Sequence, residues 1–139
     1  MIQNSQIRIM VFGTFDVLHK GHINFFKQAR SLSRDPYLIV SVARDINIKK
    51  IKGRKPINSE KKRLIAVRAS KLVDKAVLGG LKNHFPHIIK EKPQIIALGY
   101  DQKNYTANLK RHLTKLGLRV KIERLKAFKP KIYKSSILK

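Results

Sequence analysis

Short, largely apolar runs alternate along this chain with segments whose apolar residues recur every three or four positions. Ile7 to Phe12, Tyr37 to Val42, Ala76 to Leu78, Ile95 to Leu98 and Leu118 to Ile122 have the length and β-branched content of buried strands. Between the first two, Ile23, Phe26, Ala29 and Leu32 fall at helical spacing, so a helix begins at about Gly21. Ser59 can cap a second helix running to about Leu72. His84 to Lys90 reads as a third, and Asn104 to Leu116, closed by Gly117, as a fourth. Lys49 to Pro56 reads as a basic loop. Five strands alternating with helices predict an α/β fold with a doubly wound, parallel five-stranded sheet. Such sheets bind ligands beyond the carboxyl ends of their strands, which directs attention to the residues after Phe12.

Composition narrows the setting. A chain of 139 residues fits one domain, here 1–139, and is long enough to bury a core. It contains no cysteine, which excludes disulfides, thiolate metal sites and cysteine nucleophiles. No signal-peptide core and no run of membrane-spanning length is present, so a cytoplasmic protein with no membrane partner is expected. The balance of 32 Lys+Arg against 8 Asp+Glu gives a net charge of +24, a field that draws in anions. Nucleic acid and phosphorylated small molecules both answer that description, as does a basic surface with no partner. A nucleic-acid-binding module would use the charge, but the chain has no standard binding motif and no aromatic stacking platform in sequence. No specific nucleic-acid partner is therefore expected.

The residues after Phe12 carry the chemistry. Gly13-Thr14-Phe15-Asp16-Val17-Leu18-His19-Lys20-Gly21-His22 joins the first predicted strand to the first helix. A helix start offers unpaired N–H groups and the positive dipole end, which favour phosphate. His19 and His22 add side-chain donors there, and Gly21 lets backbone approach where a Cβ would obstruct. Gly13 gives the chain an exit from the strand. Two histidines also suit a metal, but no acid or third histidine stands nearby at helical metal spacing.

Gly13-Thr14-Phe15-Asp16 and His19-Lys20-Gly21-His22 resemble the GTFD and HxGH signatures of the cytidylyltransferase-like nucleotidyltransferases, a Rossmann-like family. Class I aminoacyl-tRNA synthetases share an HxGH-like element on far larger catalytic domains. The resemblance extends through Val42-Ala43-Arg44-Asp45, Lys52 to Ile57, Val73 to Gly79 and Ile96 to Gln102, where the chain looks like archaeal FAD synthases and, less closely, bacterial glycerol-3-phosphate cytidylyltransferases. It implies that His19 and His22 hold the triphosphate and stabilise charge as pyrophosphate leaves. Thr14 and Phe15 would line the nucleotide's approach, with Lys20 at the variable position. Asp101 would contact the nucleoside, the lesser alternative being a cap on the helix near Asn104. Tyr133, Ser135 and Ser136 resemble a motif that presents hydroxyls and N–H groups to phosphates. Lys52, Arg54 and Lys55, with Arg63 and Lys71 on the following helix, would hold the acceptor and NTP phosphates, Lys55 taking part in catalysis.

The implied reaction is adenylyl transfer from ATP to FMN. A CTP-dependent cytidylyltransferase acting on glycerol 3-phosphate or another small phospho-alcohol is the alternative. The attacking phosphate is already an anion, so no strong base is required, and catalysis rests on positioning and electrostatics. Mg²⁺ would be held mainly by the substrate phosphates. Asp16 reads as structural or close to that metal. Relatives in the family imply a homodimer.

Overall fold

The computed structural model describes residues 6–80, 85–99 and 106–126. Five strands form one sheet: β1 (Ile7–Gly13), β2 (Pro36–Val42), β3 (Lys75–Leu78), β4 (Ile95–Leu98) and β5 (Lys121–Arg124). Their order is β3-β2-β1-β4-β5, and every pairing is parallel. The helices are α1 (Lys20–Arg30), α2 (Asp45–Lys52), α3 (Glu60–Arg68), α4 (Phe85–Glu91) and α5 (Thr106–Lys115). Among the described residues, none of them is long and apolar enough to cross a membrane.

Alternate residues of the strands feed two separate cores, as a period of two demands. Ile9, Val11, Leu38 and Val40 pack with Phe26 and Ala29 of α1 and Val67 of α3. Met10, Ile39, Ile96 and Leu98 pack on the other face with Ile88 of α4 and Leu109 and Leu113 of α5. Helices thus cover both faces, and the sheet is doubly wound. The chain leaves β1 towards β2 on one side and returns to place β4 on the other. The crevice over the carboxyl end of β1 is therefore the topological switch point.

Local chemistry explains where elements differ from the sequence reading. The segment after β2 is helical as far as Lys52, with Asp45 in the first turn and Gly53 closing it at φ +74°. An acid at the start and a left-handed glycine at the end are helix signals that outweigh the weak apolar period. Only residues 53–59 remain as loop. Helix α3 stops at Arg68 and not near Leu72, because the Ser70 hydroxyl accepts from the Leu72 N–H at 3.3 Å and turns the chain. Leu118 belongs to the end of α5: its N–H bonds back to the Leu113 carbonyl at 3.0 Å around Gly117. Pairing of β5 consequently begins at Lys121 opposite Ile95.

Candidate active site

Strand β1 runs through Gly13, which pairs with Val42, so this glycine does not leave the sheet early. Its role is steric. A Cβ there would stand 2.6 Å from the Phe15 ring, which folds back over Gly13 from a backbone at φ +53°. Phe15 is 4% exposed and packs on Phe26 at a ring separation of 5.4 Å. It does not line an opening to a ligand; it is the floor beneath His22, meeting that ring edge-on at 5.4 Å.

His19 is the N-cap of α1. Its Nδ1 accepts from the Gly21 N–H at 3.0 Å, while His22 Nδ1 accepts from the His19 N–H at 3.3 Å. Two imidazoles thereby do the reciprocal work that Ser and Glu perform in a capping box. Their ring centroids lie 3.9 Å apart. A neutral ring that accepts at Nδ1 carries its proton at Nε2, so the backbone selects the tautomer of both. Burial and the neighbouring His19 push the His22 pKa down to about 4, against a smaller upward effect of the Val17 backbone. Burial also lowers that of His19. At neutral pH the pair is uncharged, and Nε2 of His19 is buried. The Gly21 N–H, which the sequence left available to phosphate, is engaged by His19.

A fork of hydrogen bonds secures this turn to the loop after α2. The two Asp16 carboxylate oxygens accept from the backbone N–H groups of Ile57 and Asn58, each at 2.7 Å. The Asn58 side chain returns a bond to the Asp16 carbonyl at 2.6 Å. Asp16 is thus structural. Arg63 lies below the fork, 1% exposed. Its guanidinium donates to the carbonyls of Thr14 (2.9 Å), Ala43 (2.7 Å) and Asn58 (3.0 Å) and pairs with Asp45 at 2.5 Å. Asp45 and Glu60 also cap each other's helices, Asp45 N–H to Glu60 Oε1 at 2.9 Å and Glu60 N–H to Asp45 Oδ2 at 3.2 Å. Arg44 closes the network on Glu60 at 3.1 Å. The expectation that Arg63 reaches acceptor phosphate gives way to a frame role, since its donors are directed inward. A lone arginine between Lys62 and Leu64 carries no sequence signal of that; the signal is its three-dimensional set of acceptors.

The remaining candidates divide by position. Lys20 is the first residue of α1 and exposed, and Thr14 contributes the carbonyl held by Arg63. Lys52 ends α2, while Arg54 and Lys55 are exposed in the loop beside the Asp16 fork. Lys71 is not on a helix. It stands in the turn leading into β3, next to Leu72, whose carbonyl binds Arg30 at the far end of α1. That is the amino edge of the sheet, opposite the histidines, and it removes Lys71 from the site. Asp101, Tyr133, Ser135 and Ser136 lie outside the described residues.

Comparison with known proteins bears on the family and the fold. The family model described as cytidylyltransferase-like matches residues 10–139. FAD synthase of Thermoplasma volcanium is 41% identical over 94% of this chain and 89% of its own length. FAD synthase of Pyrococcus abyssi is 44% identical over 96% and 87%. A solved structure from Thermoplasma volcanium, described as a lipopolysaccharide core biosynthesis protein, superposes with a TM-score of 0.81 at 42% identity, covering 88% of this chain and 98% of that one. With its histidine turn at the switch point of a parallel sheet and a match over nearly its whole length, the chain belongs to the cytidylyltransferase-like family.

Proposed function

We propose that this protein is an FAD synthase, transferring AMP from ATP to FMN. The reading is carried by the neutral, mutually capped pair His19 and His22 at the start of α1, in a chain whose relatives are FAD synthases over most of their length. An oxygen of the FMN phosphate attacks the α-phosphorus of ATP. The bond from that phosphorus to the α,β-bridging oxygen breaks, and pyrophosphate leaves with the electron pair.

The protein's part is placement. His19 and His22, held by the backbone at the start of α1, stand where phosphate oxygens on which charge develops would meet uncharged imidazoles. Arg54 and Lys55 draw the anionic substrates together, and Lys52 precedes them at the end of α2. Lys20, exposed on the first turn of α1, faces the same encounter. Among the described residues no group of three or more His, Asp or Glu is arranged to hold a metal, and both Asp16 oxygens are engaged by backbone N–H groups. A divalent cation, Mg²⁺ by the family resemblance, would be held mainly by the substrate phosphates.

The test is a product assay offering ATP or CTP with FMN or glycerol 3-phosphate. FAD and pyrophosphate from ATP plus FMN are the expected products. Turnover confined to CTP with glycerol 3-phosphate would overturn the assignment.

A further inference from the structure

Isolated exposed aliphatic side chains are ordinary on a protein surface. Val17 and Ile57 are different because of where they are held. Val17 is 50% exposed and Ile57 68% exposed. Asp16, adjacent to Val17 in the chain, accepts from the Ile57 N–H at 2.7 Å, which draws the two backbones together. Asn58 fastens the same junction from the other side, at 2.7 and 2.6 Å. Val17 lies two residues before His19 in the same turn. The backbones that carry these two apolar side chains are therefore held together beside the histidine turn. In the same loop the exposed cations Arg54 and Lys55 precede Ile57 by three and two positions. One rim thus combines positive charge with an apolar surface.

That combination fits a ligand with a phosphate at one end and a large, flat, weakly polar ring at the other. A small phospho-alcohol would have no use for the apolar part. We infer that Val17 and Ile57 form the shelf on which the isoalloxazine ring of the acceptor lies, and so select a flavin phosphate over shorter acceptors. The inference rests on the FMN reading above and adds the residues that recognise the ring.

The experiment compares wild type with Ile57→Ser, Val17→Ser and the double variant. Both side chains face solvent, and the Ile57 N–H that binds Asp16 is kept. KM is measured for FMN and for ATP, together with inhibition by ribitol 5-phosphate, which is FMN without its ring. Covering part of an aliphatic side chain corresponds to a rise in KM for FMN of about fivefold to tenfold per residue lost. KM for ATP and inhibition by ribitol 5-phosphate stay at wild-type values, and Ile57→Leu keeps wild-type KM for FMN. An unchanged KM for FMN in the double variant overturns the shelf. So do equal rises for FMN, ATP and ribitol 5-phosphate, which would report a distorted turn. Failure of the wild type to form FAD would remove the proposed reaction and the shelf with it, whereas FAD formation indifferent to the variants removes the shelf alone.

Discussion

The histidine turn at the start of α1 and the basic loop between α2 and α3 share one edge of the sheet but are built on different terms. In the turn, each imidazole has its Nδ1 engaged by backbone, and Phe15 supports the second ring from below. Its functional groups are uncharged and partly buried. In the loop, Arg54 and Lys55 stand in solvent, and only the base is tied, through Asn58 to Asp16 and Arg63. Oriented neutral donors act on charge that develops at a defined point, and their effect depends on position. Exposed cations act at a distance through water, and their effect depends on salt. On the proposed reaction, the contrast separates stabilisation of a transition state from capture of an anion. Arg63 connects the two, because one guanidinium holds the Thr14 carbonyl and the Asn58 carbonyl together.

Breaking that connection has the largest expected effect. Arg63→Met removes the donor from three carbonyls and leaves Asp45 with the Glu60 N–H, a loss of about 3–5 kcal/mol at roughly 1–3 kcal/mol for each acceptor left unsatisfied. Chemical denaturation reads it, and a loss below about 1 kcal/mol, within the usual range of surface substitutions, would show that the frame is dispensable.

Removing a donor from the turn comes next. His22→Ala lowers kcat by roughly 10²–10³-fold, about 2.7–4 kcal/mol of transition-state stabilisation, with the fold retained. Near-wild-type turnover in a folded variant would place the chemistry elsewhere.

The buried histidine also links stability to pH. Its folded pKa of about 4 lies below the usual 6.5. Between these values the unfolded chain binds a proton that the folded one refuses. The neutral ring's contribution is complete above pH 6.5 and is lost as pH falls towards 4, on the order of 3 kcal/mol. Denaturation midpoints measured across that window therefore fall more steeply in the wild type than in His22→Asn, and parallel curves would contradict the burial effect.

The loop shows the smallest change. Lys55→Ala alters stability by less than about 0.5 kcal/mol. It raises KM for the phosphorylated acceptor severalfold at low ionic strength, and the difference closes as salt shortens the Debye length to about 3 Å at 1 M. A defect in kcat that persists at high salt would move Lys55 from capture into catalysis.

Much of this was legible along the chain because it is local. Strand-length apolar runs, helical spacing after Gly21 and the glycine after Leu116 follow from backbone geometry within a few residues, and the doubly wound parallel sheet of five strands follows from their alternation. The histidine turn was legible for the same reason: His19, Gly21 and His22 lie within four positions, close enough to cap one another. The identity of helix α2 was obscured because lysines conceal its apolar period, while its first-turn acid and closing glycine are spread over nine residues.

What tertiary structure alone decided concerns pairs far apart in sequence. Gly13 is required by the ring of Phe15 and not by a turn. Arg63 faces inward because carbonyls 49 and 20 positions away converge on it, and Lys71 falls at the wrong edge because α3 runs antiparallel to the strands and carries the chain there. A basic residue reads the same in sequence whether it meets solvent, a phosphate or a buried carbonyl. Only the folded chain determines which of these its guanidinium or ammonium reaches, because burial without a partner is too costly to leave a donor unplaced.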